Sequence, residues 1–592
     1  MLTIASFLLF TALVALIAYF KTKNDDLGTE SGYFLAGRSL SWYVIAGSLF
    51  LTNISAEQLA GLNANAFRNG ANVMAWEATS ALTLIVLAFV FLPRYLKAGI
   101  TTVPQFLEKR FGKKMRITAS FIFLYAIVIG FLPFVLYAGA ITLGKLFDVS
   151  GLLGISEGAS IWLMTITLGV VGGIYAVFGG LKAVAVSDTV NGVGLLIAGL
   201  LVPIIGLYIL GDSSVLDGVR TLVAEAPDRL NAPGLSSDSN IPWHGLISGV
   251  LIINLFYWCT NQAIVQRVFA GRNLAESQKG VLAAAAMKIL GVFMLVLPGI
   301  IAWQLYQDGL LQIPMKQSDG VSTGIINADM SYPILVREIL PGWMTGFFGA
   351  AMFGAILSSF NSGVNSLSTV VSLDIYKQII KPEASDRETV RIGRLFGTFT
   401  IILCIIIAPY IATADSLYTL MRTIMAVINV PIFAVILLGV ISKRAPSSAA
   451  FAGLGFGMVF FYTTHFAMGD DLGFVKVHWL NLVGINLVLM LAIMGVIRWL
   501  RPLPEPVVIQ YTRDVDITPW KHAELASWII IFGFLSLYLV LSPLGITSES
   551  GSIVKALSVV VLILAVLIAA VRLIRNRSSS IPDSSKLIPG RS

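Results

Sequence analysis

The chain has 592 residues, 56% of them hydrophobic and only 12% charged, with a net charge of +8 at pH 7. A soluble protein has no core large enough to hide that much apolar side chain, and the mean hydropathy of +0.84 points to a polytopic membrane protein. The positive charge excludes little by itself, because surplus Lys and Arg in a membrane protein marks its cytoplasmic loops rather than a nucleic-acid surface.

Apolar runs of about twenty residues are the signal for spans. They fall at 2–20, 42–66, 72–93, 117–146, 159–178, 184–211, 244–265, 280–305, 334–376, 394–412, 416–441, 447–467, 478–499, 526–543 and 553–574, which makes fifteen. The first run has two Lys after it and no Lys or Arg before it, the reverse of a cleaved signal peptide, so it is expected to remain a helix. With the N-terminus outside, the basic clusters Lys21 to Arg38, Arg94 to Arg116, Arg267 to Lys279, Lys377 to Arg394 and Arg498 to Arg501 all fall inside, as do Arg572, Arg575 and Arg577. The acidic loops 212–243, 307–332 and 469–476 fall outside. Segment 103–111 reads as a short interfacial helix, 502–522 as a polar inner linker, and 578–592 as a disordered tail after a single transmembrane domain over 1–577. His244, His465, His478 and His522 are scattered, and Cys259 and Cys404 lie in apolar runs, so neither a metal cluster nor a disulfide framework is expected.

The polar residues inside these runs carry the functional signal. Leu51-Thr52-Asn53-Ile54-Ser55-Ala56-Glu57-Gln58 interrupts the second run with amides, hydroxyls and a carboxylate. Such a stretch is either a satisfied polar turn or a broken helix whose freed carbonyls bind an ion. Asn254 to Gln262 is a second candidate break, with Asn254, Tyr257 and Asn261 on one face. Ser358, Ser362, Asn365, Ser366, Thr369 and Ser372 share a helix face, and Ser359 lies beside Ser358. Small polar residues also serve simply to let membrane helices approach one another. Glu57, Glu77, Lys288 and Arg422 lie within spans, where each charge costs about 2.5–3.5 kcal/mol at the bilayer centre. They pair structurally or they serve a ligand.

Tyr33-Phe34-Leu35-Ala36-Gly37-Arg38, Gly179-Gly180-Leu181-Lys182-Ala183-Val184, Gln266-Arg267 and Asp374-Ile375-Tyr376 resemble signatures of the sodium/solute symporter family. The likeness covers about residues 1–575 and is strongest to the bacterial sodium/galactose and animal sodium/glucose cotransporters. It implies an all-α, LeuT-like fold with two inverted five-helix repeats at about 42–211 and 244–441, flanked by further helices, while the run count and the basic C-terminal cluster give about 15 spans in all. The extra span relative to fourteen-helix relatives is 553–574.

The resemblance also implies a function: sodium-coupled symport of a galactose- or glucose-like sugar by alternating access, without enzymatic chemistry, in a bacterial inner membrane. Na+ and the sugar are then the small partners, lipid surrounds the protein, and no nucleic acid is involved. Sodium is implied at the carbonyls of Leu51, Ile54 and Ala355 with the hydroxyls of Ser358 and Ser359. A possible second sodium falls at Asp188, Ser358 and Ser362, although Asn361 stands where a Ser is expected. The sugar is implied at Asn53, Gln58, Glu77, Ser80, Asn254 and Lys288, with Tyr257 as inner gate and Trp76 and Tyr418 as outer lid. Arg422 departs from the pattern, because sugar transporters carry Gln there. A guanidinium prefers carboxylate, sulfate or phosphate, so the alternative is an acidic or sulfated sugar or another small organic solute. Pairing of Arg422 with Glu57 or another acid would instead leave a neutral-sugar site intact.

Overall fold

The computed structural model describes residues 2–546 apart from 236–238, 319–320, 412–416, 470–471, 473–474 and 511–514, together with 560 and 564; the side chains of 317–318, 321–322 and 417–424 are also outside the description. Helix is nearly the whole of it, as a chain in hydrocarbon requires if its backbone polar groups are to be satisfied within each segment. Among the described residues, eleven helices are long and apolar enough to cross a membrane. Fifteen runs do not give fifteen such helices, for physical reasons that differ from run to run. Run 42–66 is cut into Trp42–Asn53 and Ala56–Asn69, and the first piece is too short to span alone. Runs 159–178 and 184–211 are joined in Glu157–Leu210, whose 54 residues would reach roughly 80 Å if straight. Gly180 bends it with φ 63° and ψ −174°, a conformation that suits glycine alone. Run 416–441 folds as the 25-residue helix Leu417–Ile441, in which the side chains of 417–424 lie outside the description. Run 553–574 and the tail 578–592 lie outside the described residues.

Small residues set the packing around the centre. The helix Glu157–Leu210 lies along Gly342–Val370 and Trp42–Asn53. Gly47 meets Thr189, Gly192 meets the Gly47 carbonyl, Gly172 meets Phe360 and Asn361, and Gly354 meets Asn191. A Cβ added at Gly354 would stand 2.2 Å from Asn191, so the close approach depends on glycine. These contacts bring Asp188, the broken helix and Ser358–Ser362 to one level.

Two peripheral assemblies frame that centre. On the side rich in Lys and Arg, Val103–Phe111 forms the short helix expected there, opened by a capping box between Thr102 and Gln105. Arg116 joins Asp374 at 2.6 Å and Glu108 at 2.5 Å, and Thr102 donates to Asp374 at 3.0 Å. Gln266 donates to the Phe34 carbonyl at 2.7 Å and to Thr369 at 2.8 Å. Tyr33 donates to the Val177 carbonyl at 2.9 Å, and burial pushes its phenol up to about 12. On the opposite side, Asn72 clasps the loop beyond Val215–Glu225: its amide donates to the carbonyls of Ala232 and Ile241, at 3.1 and 2.9 Å, and accepts from the Ile241 N–H at 2.8 Å. Arg229 of that loop stacks on Trp303 at 4.3 Å. The acidic loop 307–332 contains an antiparallel hairpin, Met315–Ser318 with Val321–Ile326. Its strands are short, and nothing in the sequence analysis anticipated them.

Candidate functional site

The break in the first helix divides consecutive residues between two buried clusters. Asn53 ends the first half, Ile54 and Ser55 are extended, and Ala56 begins the second half. Thr52 points to one cluster and Asn53 to the other.

Thr52 is the hub of the first. Its hydroxyl lies 3.2 Å from Ser358 Oγ and 3.4 Å from Ser362 Oγ, and donates to Asp188 at 3.5 Å. Its carbonyl accepts from Ser359 Oγ at 2.8 Å. The Leu51 carbonyl accepts the Ile54 N–H at 2.9 Å. Ala355 is fully buried one turn before Ser359 on the facing helix. Uncharged oxygens are therefore gathered where the backbone leaves helical geometry, a donor set suited to a hard monovalent cation.

Asp188 brings a negative charge to this cluster, and Arg267 meets it. Arg267 Nη2 lies 3.3 Å from Asp188 and also donates to Ser362; its Nε donates to Ser48 Oγ at 2.7 Å, and Ser48 donates to Asp188 at 2.6 Å. Asp188, Ser358 and Ser362, the residues of the possible second sodium, are thus together, with a guanidinium among them. From sequence, Arg267 was expected in an inner basic cluster and a family motif rather than at this site, and Thr52 had no assigned role. A pair 79 positions apart leaves no local pattern, whereas Thr52 was visible as a hydroxyl within the interrupted run.

The second cluster is an ion pair with two amides. Lys288 lies 2.9 Å from Glu77 and donates to Asn53 Oδ1, and Gln58 donates to the other Glu77 oxygen at 2.5 Å. Lys288 also sits 5.3 Å from the Trp258 ring and 5.7 Å from Phe50. Both charges are fully buried, which the pairing and the amides make tolerable. Two predicted sugar ligands brace this cluster from behind. Asn254 donates to the Trp76 carbonyl at 3.0 Å and to Thr79 at 2.6 Å, and Ser80 donates to the Trp76 carbonyl at 2.9 Å.

Between the clusters lies a cavity of about 60 Å³ lined by Thr52, Asn53, Glu57, Gln58, Tyr257, Asn261, Ser359 and Ser362, with apolar walls from Phe123, Ile127, Phe131, Phe256 and Met425. The helix carrying Tyr257 breaks at Asn261, whose side chain accepts from the Ala263 N–H at 3.0 Å and caps the following helix Gln262–Phe269. Of the predicted sugar set, Asn53, Gln58 and Tyr257 reach the cavity; Glu77, Lys288, Asn254 and Ser80 stand behind it. Trp76 stacks on Trp479, centroids 6.3 Å apart and planes 20° from parallel, a partner the sequence did not reveal. The side chains of Tyr418 and Arg422 lie outside the described residues. Pockets for sugar-sized ligands run to several hundred Å³, so admitting such a solute requires these lining side chains to part.

Comparison with known proteins gives the family and the fold. The model of the Sodium:solute symporter family matches residues 33–457. The uncharacterized symporter YidK of Escherichia coli (strain K12) is 44% identical over 545 residues, 92% of each chain. The sodium/glucose cotransporter of Vibrio parahaemolyticus is 32% identical over 450 residues, 73% of this chain and 79% of that one. A solved Na+-coupled sialic acid symporter in a substrate-bound outward-open state superposes with a TM-score of 0.70 at 20% identity, covering 84% of this chain and 97% of that chain. That likeness establishes an all-α inverted-repeat transporter fold.

Proposed function

The chain belongs to the sodium:solute symporter family, and from that premise we propose that it carries a small acidic, polyhydroxylated solute inward with sodium by alternating access. It is a multi-pass membrane transporter rather than an enzyme, and Na+ is its coupling ion. Sodium is held by the carbonyls of Leu51, Ile54 and Ala355 and the hydroxyls of Ser358 and Ser359, with Thr52 turned toward the same cluster. The solute meets the amides of Asn53 and Gln58 and the ring of Tyr257. Movement of Lys288 and Glu77 enlarges the cavity, while Trp76 with Trp479 covers the outer approach.

One observation carries the acidic reading. Met425 and Asn429 line the cavity, and Arg422 precedes them by three and seven residues on the same helix, a spacing that gives position 422 their face. A guanidinium there favours a carboxylate or sulfate over a neutral hydroxyl. The opposing observation is Glu57, which lines the same cavity and would neutralise Arg422. With that pairing the solute is a neutral sugar such as galactose or glucose, the reading to which the name of the Vibrio relative lends support.

Arg267 at Asp188 supports a single sodium, because a fixed cation already balances that carboxylate. The membrane potential contributes about 2.3 kcal/mol per charge per 100 mV, and a tenfold sodium gradient about 1.4 kcal/mol. A neutral solute with one sodium draws on both; a monoanion with one sodium draws on the gradient alone.

Uptake into proteoliposomes of neutral, acidic and sulfated sugars, with and without sodium, tests the reading. Sodium-dependent uptake of an acidic or sulfated sugar, abolished in Arg422→Gln, is the expected result. Equal uptake of galactose or glucose by the wild type and Arg422→Gln would replace it with the neutral reading, and sodium-independent uptake throughout would overturn both.

A further inference from the structure

The inner halves of the two broken helices are tied into one body. Trp42–Asn53 and Gln262–Phe269 meet at the ion cluster, where Arg267 Nε donates to Ser48 Oγ at 2.7 Å. They meet again at their other ends, where the Leu40 N–H donates to the Ala270 carbonyl at 3.0 Å and the Arg272 N–H to the Leu40 carbonyl at 3.3 Å. Ala263 lines the cavity, and all eight residues of Gln262–Phe269 are buried. This body therefore stands between the cavity and the Lys- and Arg-rich side.

Two glutamines one turn apart fasten it to its surroundings. Gln262 accepts from the Val103 N–H at 2.8 Å and donates to the Thr101 carbonyl at 3.2 Å, at the start of the short helix Val103–Phe111. Gln266 donates to the Thr369 hydroxyl at 2.8 Å and to the Phe34 carbonyl at 2.7 Å. A side-chain amide both gives and accepts a bond and carries no charge, so these contacts close a dry interface without a desolvated ion and part again at modest cost.

Thr369 lies on Gly342–Val370, the helix that carries Ser358 and Ser359, ten residues or about 15 Å inward of Ser359. In the proposed function, sodium joins that helix to the body through Leu51 and Ile54. Sodium and Gln266 thus clamp the same two parts at two depths, and each favours a closed inner side. We propose that Gln262 and Gln266 form an inner latch acting in parallel with sodium, so that its strength sets how far loss of the ion opens the inner path. The proposal rests on that sodium site. Neither glutamine lines the cavity. Both are positioning residues that act through the helix they sit on.

Alkylation of Ala263→Cys by a membrane-impermeant maleimide, applied to the inner side of oriented vesicles, reports opening. Each rate is taken against the same protein without the added cysteine, because Cys259 stands four residues away. Without sodium, Gln262→Leu and Gln266→Leu are expected to label about tenfold faster than the parent, and saturating sodium to restore the parental rate. The sodium concentration for half-protection should rise by up to the same factor. Thr369→Val, which keeps the shape and removes one acceptor, should act in the same direction and add nothing further to Gln266→Leu. Parental labelling rates in every variant without sodium would overturn the latch. So would faster labelling that saturating sodium leaves unchanged, together with a lowered melting temperature, since that marks a structural role alone. If sodium fails to protect even the parent, the sodium site is at fault, while faster labelling of the glutamine variants still supports the latch.

Discussion

The two helix breaks are built on opposite principles. At Asn261 the chain supplies its own cap, because the residue at the break turns its side chain onto the next helix. At Ile54–Ser55 no side chain caps the second half, and the buried Ser55 hydroxyl has no partner. The order there comes from other helices: Ser359 holds the Thr52 carbonyl, Asp188, Ser358 and Ser362 lie about the Thr52 hydroxyl, and Arg267 holds Asp188 and Ser362. A self-capped break is a hinge of fixed shape. A break held from outside has backbone oxygens that an ion can share, and its geometry changes with whatever holds it.

If the first break depends on distant partners, the largest effect should come from removing one of them. Asp188→Ala leaves Arg267 buried without its counter-charge and is expected to cost about 3–5 kcal/mol, read as a steep fall in melting temperature. Partial recovery in Asp188→Ala/Arg267→Met would trace the loss to the stranded charge; no loss at all would break the comparison. Ser359→Ala should raise the sodium concentration for half-maximal uptake by about tenfold, roughly 1.4 kcal/mol, while lowering stability by no more than about 1 kcal/mol. An unchanged sodium dependence would remove Ser359 from the ion site. At the second break, Asn261→Ala removes a cap and should cost about 1 kcal/mol in chemical unfolding while leaving sodium dependence alone. The smallest effect is expected from Ser55→Ala, within about 0.5 kcal/mol or slightly stabilising, since it removes a buried hydroxyl with no partner.

Much of the first break was legible because its chemistry is contiguous: an amide, a hydroxyl and a carboxylate cannot interrupt an apolar run without a local reason. The short helix expected over 103–111 is also found, and the structure adds the capping box between Thr102 and Gln105 that opens it. What escaped is what folding brings from afar. Arg267 and Asp188 belong to different helices, as do Trp76 and Trp479, and no periodicity links them. Asn254 and Ser80 have the chemistry of sugar ligands, yet both hydrogen-bond the Trp76 carbonyl, and only geometry separates a bracing amide from a binding one. Counting spans by a fixed window also misled, because a helix cut at its middle and a helix bent at Gly180 both defy a measure based on unbroken length.

The Asn72 clasp gives a way to watch the molecule from without. Asn72 sits in the connector immediately after the outer half of the broken helix, and its three hydrogen bonds tie that connector to the loop around residue 235. Leu235 itself is exposed, at 65%. A fluorophore attached there would ride on the loop, and the loop on the helix, so the tilting that admits or releases a solute would reach the surface as a change in signal. The clasp makes the loop a pointer on a dial.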